Sequence, residues 1–301
     1  MLLLCALVWG LAFAFQRSAA NQINPIAFNG IRFCLASGVI CVLLLVYELI
    51  NKKKGIKSLP WNKSTLLGGV ICGVSLFLAS NLQQYGMMYT TAGRAGFITA
   101  LYIVLVPVLG LLAAKKISVL SRFAIPVAIA GFWLMCSSGS EAIGIGDFLG
   151  LASTVFFALQ ILFIDVFGQE SDPFKLTLVQ FVTCAVISIA GMGVVGFPDG
   201  AVISESIVSI MYVGVFSAGI GYTLQTVGQK FTEPSVAALI MSLESVVGMI
   251  GGILILGETH SSAEIAGCML VFVAVILAQA AFPKKFLQFD KKQYILSSTK
   301  K

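Results

Sequence analysis

The sequence predicts an all-α membrane protein with ten transmembrane helices, arranged as two inverted five-helix repeats. Three observations lead there. Apolar residues recur in stretches of about 20, enough to cross a bilayer as helices rising 1.5 Å per residue. Lysine and arginine gather in alternate gaps between those stretches. Polar residues of the first half recur in the second at a nearly constant offset.

Composition supports the first observation. Charged residues make up 11% of the 301, the AVILMFWYC set 58%, and the mean hydropathy is +0.98. A soluble domain carries about a quarter charged residues. So few charges cannot cover a water-facing surface, so lipid is the main solvent. The 30 glycines suit helices packed closely in lipid, where small residues let backbones approach. The seven cysteines (Cys5, Cys34, Cys41, Cys72, Cys136, Cys184, Cys268) lie inside apolar stretches without a C-x-x-C pair. They read as packing residues, not as disulfide or zinc ligands. The net charge of +6 is not a nucleic-acid signal, because the basic residues punctuate apolar runs. No basic segment precedes the first run and no A-x-A-like site follows it, so it does not read as a signal peptide. Met1 already lies within that run, which leaves open whether a lead-in precedes it.

In order, helices are expected at 2–20, 27–50, 64–87, 92–114, 119–137, 147–167, 174–196, 205–229, 234–256 and 262–282. Asn24-Pro25 separates the first two, and Leu59-Pro60 the second and third. Lys115-Lys116 ends the fourth, and Asp172-Pro173 divides the sixth from the seventh. Pro198-Asp199-Gly200 precedes the eighth, and Glu233-Pro234 opens the ninth. Helices and closed barrels alone satisfy their backbone groups in lipid, and these runs are too long for barrel strands.

Orientation follows from charge. If ten helices alternate, Lys52, Lys53, Lys54, Lys57, Lys63, Lys115, Lys116, Arg122, Lys175, Lys230 and the basic residues of the tail share one side. Of the 19 Lys and Arg residues, only Arg17, Arg32 and Arg94 fall elsewhere. The opposite loops carry Glu141, Asp199, Glu205, Glu258, His260 and Glu264. By the positive-inside rule both termini are cytoplasmic, in a multi-pass protein of the cell inner or plasma membrane.

At an offset of 142 residues, Leu82-Gln83 falls on Leu224-Gln225, Gly86 on Gly228, Thr90 on Thr232, Leu101 on Leu243 and Gly110 on Gly252. Near the start of each half an offset of 148 sets Pro25 on Pro173 and Phe33 on Phe181. The repeats are 1–137 and 147–282, followed by a cytoplasmic tail at 283–301. Five helices per repeat means the second enters from the opposite side, an arrangement typical of secondary transporters.

Val8-Trp9-Gly10 with Phe13, Asn24-Pro25 before Arg32-Phe33, and Leu101 to Pro107 running out to Lys115-Lys116 make up one set of features. Ser242-Leu243-Glu244 and Gly252 through Leu256-Gly257-Glu258 make up a second. In order and spacing they resemble the EamA-type branch of the drug/metabolite transporter superfamily over nearly the whole chain. Ser245 stands where that family often has proline, so no proline-driven helix break is expected there. The resemblance implies an export-prone carrier of small metabolites, driven by proton exchange or by the solute gradient.

Charges near mid-bilayer cost about 2.5–3.5 kcal/mol on insertion scales, so each needs a reason. Glu244 lies near the middle of helix 9, sharing a face with Ala237, Met241, Gly248 and Gly251. It binds a proton or a cationic solute group, or else is a protonated structural residue bonded to a neighbouring helix. Arg32 attracts an anionic solute, pairs with a carboxylate, or snorkels to the headgroups. Arg17 and Arg94 read as edge anchors, and Asp165 as a solvated helix end. Asn81 and Gln84 share a face of helix 3 with Met88, and Thr223 and Thr226 take the corresponding places in helix 8. Gln83 and Gln225 are repeat partners. Tyr102, on a face with Ala95 and Thr99, is the counterpart of Glu244. Gln16, Gln160 and Trp9 complete the candidates. Solute contact competes in each case with helix packing or interhelical hydrogen bonding.

No G-x-x-x-x-G-K-[ST] is present for ATP-driven transport, the single histidine rules out a multi-His metal centre, and no G-x-S-x-G has a His partner. No cofactor or enzymatic reaction is expected. The expected partners are a small solute, protons as coupling ion and the bilayer, with a homodimer left open. The sequence also admits a passive channel or a scaffold.

Overall fold

The computed structural model describes residues 1–112, 119–138 and 144–280. Lys115, Lys116, Glu141 and the expected tail at 283–301 lie outside the described residues. All regular structure among the described residues is helical. Among the described residues, eight helices are long and apolar enough to cross a bilayer. They are α1 (Leu2–Ala19), α2 (Pro25–Lys53), α3 (Lys63–Gly86), α4 (Ala92–Gly110), α6 (Ile145–Gly168), α7 (Pro173–Val195), α8 (Ile207–Gln229) and α9 (Pro234–Leu256). Two more, α5 (Val119–Ser138) and α10 (Ser262–Ala280), pack chiefly on each other.

The polar punctuation acts as caps. The Asn24 side chain accepts from Ile26 N at 2.9 Å ahead of Pro25, whose missing N–H costs nothing at a helix start. Asn62 accepts from Thr65 N at 2.7 Å, and its amide donates to the Glu170 carbonyl at 2.9 Å, fastening the start of α3 beside that of α7. Asp172 accepts from Phe174 N and Lys175 N. A short helix, Gly200–Glu205, precedes α8, which starts slightly later than expected.

Helices from the first part of the chain pack mainly on helices from the second: α3 on α6 and α7, α2 on α7 and α8, α1 and α4 on α9. Glycines make this possible. Gly69 and Gly73 of α3 face Val179 and Thr183 of α7 with no room for a Cβ. Gly10 of α1 does the same against Val247 and the Glu244 carbonyl. Outward faces carry Leu45, Val186 and Leu254, whereas Gln16, Asn29, Arg32, Gln160 and Glu244 are buried. A greasy exterior around a polar interior is the distribution lipid demands.

Three spans depart from regular α-helix. α4 is interrupted at Leu101, between the helix Ala92–Ala100 and a second helix that starts at Tyr102 and runs past the span to Leu112, and α9 breaks into Pro234–Met241 and Glu244–Leu256 at Ser242 and Leu243. Leu101 N bonds Ile98 O at 3.2 Å and Leu243 N bonds Ile240 O at 3.4 Å, so both helices tighten to i−3 pairing at the same register. The α9 break forms without proline. The hydroxyls of Ser242 and Ser245 donate instead to the carbonyls of Leu239 and Ser242, at 2.7 and 2.8 Å. In α8, Tyr212–Tyr222 is π-helical, a form frequent at functional sites.

Candidate functional site

Between the helices lies a small pocket, about 30 Å³ in volume. α1 contributes Trp9, Phe13 and Gln16, α2 contributes Arg32, and α3 contributes Gln83. From α4 come Thr99 and Tyr102, and from α6 Phe157, Gln160 and Ile161. α8 and α9 close it with Ser217, Tyr222, Gln225 and Glu244.

Arg32 is 3% exposed. Its guanidinium reaches Gln16 Oε1 at 3.3 Å, Asn29 Oδ1 at 3.4 Å and Ser217 Oγ at 3.5 Å, and sits 5.1 Å from the centre of the Phe33 ring. These neutral acceptors hold the guanidinium without discharging it, and its Nε has no partner. Glu244 is 2% exposed, and its Oε1 has no partner either. The Tyr102 side chain is its neighbour, with a hydroxyl that makes no geometrically sound hydrogen bond. Arg32 and Glu244 thus share a pocket without forming an ion pair.

Amides line the rest. Gln160 Nε2 donates to Gln180 Oε1 at 3.1 Å and Gln225 Oε1 at 3.3 Å, and Gln225 Nε2 returns a bond to Gln160 Oε1 at 3.2 Å. Gln83 Nε2 donates to Thr99 Oγ1 at 2.9 Å. Trp9 Nε1 donates to the Ser217 carbonyl at 2.9 Å, inside the π-helical stretch, and its ring lies 4.6 Å from that of Tyr222.

Of the residues singled out from sequence, Glu244, Arg32, Tyr102, Gln16, Gln160 and Trp9 meet at this pocket. The other four are elsewhere. Asn81 bonds Asn29 and the Phe77 carbonyl, and Gln84 bonds the Gln16 carbonyl. Thr223 and Thr226 turn back onto Gly219 O and Tyr222 O. Their repeat-related neighbours Gln83 and Gln225 line the pocket instead. Ser217 and Tyr222 were missed because the π-helical stretch shifts the face that a 3.6-residue period projects. Phe13 entered the sequence reading only through the family resemblance, and Phe157 carried no sequence signal beyond apolarity.

One basic residue needs correction. Arg94, expected as an edge anchor, is buried and paired with Asp147 of α6 at 2.8 Å. Lys175 is buried in the first turn of α7. There its ammonium meets the Leu59 carbonyl and Glu48, both at 3.0 Å, and the Trp61 ring. Lys230, just past α8, donates to Ser171 O at 3.0 Å. Burial pushes its ammonium down from the usual lysine range, against the pull of Asp172.

The model of the EamA-like transporter family matches residues 1–137 and 144–279. A protein of Archaeoglobus fulgidus named as an uncharacterized transporter is 30% identical over 277 residues, covering 92% of this chain and 83% of that one. A second from the same organism, with the same name, is 26% identical over 289 residues, at 92% and 96% coverage. Another, from Clostridium kluyveri, is 20% identical over 258 residues, at 79% and 82%. A solved crystal structure superposes with a TM-score of 0.71 at 13% identity, over 92% of this chain and 94% of that one, a likeness of fold. With its apolar helices closed around a polar interior, and with both family matches together spanning nearly all its residues, the chain belongs to the EamA-like transporter family.

Proposed function

We propose that the protein is a secondary transporter that exports a small amphoteric solute by alternating access. The observation that carries this reading is the presence of Arg32 and Glu244 in one pocket, buried yet unpaired with each other. A buried charge left without a counterion is costly in lipid, and a ligand that supplies one relieves that cost. A solute with a carboxylate for Arg32 and an ammonium for Glu244 answers both at once. The aromatic walls from Trp9, Phe13 and Phe157 suit an apolar body between them. Glu244 takes up a proton when the solute has left, which couples transport to the proton gradient.

The moving parts in this reading are two inverted halves, 1–137 and 147–282, with both termini cytoplasmic. Two findings support it: the family model matches in two stretches, and α4 and α9 break at the same register. Transporter sites often form where helices are interrupted near the midplane.

The test is counterflow in liposomes holding the purified protein, with and without a pH gradient. Labelled leucine, 4-methylpentanoate and 3-methylbutylamine share a carbon skeleton and differ in the charges they carry. Saturable exchange of leucine above both single-charge analogues is expected. Equal handling of all three defeats the amphoteric reading, and non-saturating flux points to a channel.

A further inference from the structure

The start of α4 is held by carboxylates from the second part of the chain. Glu258, in the turn after α9, lays its carboxylate across the first N–H groups of α4. Ala92 N donates to Oε1 at 2.7 Å and Gly93 N to Oε2 at 3.2 Å. Gly257, at φ 68°, makes the left-handed turn that brings Glu258 back over the helix. In the same first turn, Arg94 reaches Asp147 of α6 at 2.8 Å. The segment Ala92–Ala100 is therefore tied at its free end and interrupted at its other end, directly before Tyr102 and the pocket.

Among the described residues, the corresponding start of α9 lacks these ties. At the offset of 142, Pro234 takes the place of Ala92 and offers no N–H. Val236 takes the place of Arg94, and Lys116 stands in the sequence at the register of Glu258. The α9 N-cap, Glu233, is exposed and makes no side-chain cap bond.

We infer that Ala92–Ala100 is a gate over the pocket, swinging at Leu101, and that Glu258 is the positioning residue that latches it. The α9 end, with no such carboxylate latch among the described residues, opens more readily, so the empty carrier rests closed at the α4 end. This rests on the reading that the pocket is reached alternately from two sides.

The latch is read by labelling, which needs no solute. In the full chain with its seven cysteines replaced, Thr99→Cys places a thiol in the pocket wall, and a membrane-impermeant maleimide is added from either face of the membrane. Glu258→Gln is expected to raise labelling from the α4-start face by roughly tenfold and to lower it from the other face. Glu258→Asp keeps most of the parent's pattern. Asp147→Asn, acting on the second tie, shifts labelling in the same direction and serves if Glu258→Gln fails to fold. Parent rates on both faces, or equal rises on both, overturn the latch. Absence of leucine counterflow with the labelling shift intact would overturn the amphoteric-solute reading and leave the gate standing.

Discussion

Tyr102 and Glu244 occupy equivalent places: each is the first helical residue after the interruption of its span, and both side chains enter the same pocket. One offers a hydroxyl and the other a carboxylate, and Tyr102 Oη and Glu244 Oε1 are both buried without a partner. Unpartnered polar atoms at that depth are expensive, so this pair is where the fold carries strain that a ligand can relieve.

Tyr102→Phe removes an unsatisfied hydroxyl while keeping the ring. Because no hydrogen bond is lost, the thermal midpoint in detergent should stay the same or rise slightly. The KM for solute should increase severalfold. A clear loss of stability with unchanged KM would mean that the hydroxyl is structural.

Glu244→Gln keeps the shape and removes the charge. Counterflow in liposomes should fall by about tenfold or more, and its dependence on pH should flatten. A variant with the parent's rate and pH profile at equal reconstitution eliminates the proton role.

Arg32→Gln should raise the KM of a carboxylate-bearing solute by roughly tenfold, about what one charge-assisted bond contributes. Arg32→Lys should recover only part of it, because a point charge cannot span Gln16, Asn29 and Ser217 as the planar guanidinium does. Full recovery by lysine would contradict this geometry.

Arg94→Ala leaves the Asp147 carboxylate buried and should destabilise the protein by about 3 kcal/mol. Replacing both partners by apolar residues of similar size, as in Arg94→Met with Asp147→Leu, should restore a good part of that. Denaturation in detergent distinguishes these outcomes. An Arg94→Ala variant as stable as the parent would place the pair among solvated surface contacts.

Ser245→Pro should be tolerated. Its N–H closes only the 3.1 Å bond to Ser242 O within the break, and proline is acceptable in the first turn of Glu244–Leu256. Retained counterflow with a thermal midpoint within a few degrees of the parent is expected. Unfolding would show that the serine-based break depends on that bond.

Much of this architecture was legible in the chain because lipid imposes a cost residue by residue. Apolar runs marked the helices, Asn24-Pro25 and Asp172-Pro173 marked two of their starts, and the offset of 142 paired Tyr102 with Glu244. Rotation about each helix axis was less legible. Thr223 and Thr226 face away from the pocket while Ser217, Tyr222 and Gln225 line it, because π-helical winding resets the phase of α8. Arg94 looked like an anchor because nothing in its neighbourhood announces Asp147, 53 residues away.

The sequence by itself determined that this is a helical membrane protein with a polar residue at each of two matched mid-helix positions, since transfer into lipid is decided locally. Only the tertiary structure decided which polar groups meet. It brought Arg32 and Glu244 to one pocket without an ion pair between them, and set the Glu258 carboxylate on the start of α4. Those contacts depend on how helices far apart in sequence are turned and packed, and no single segment's composition encodes that.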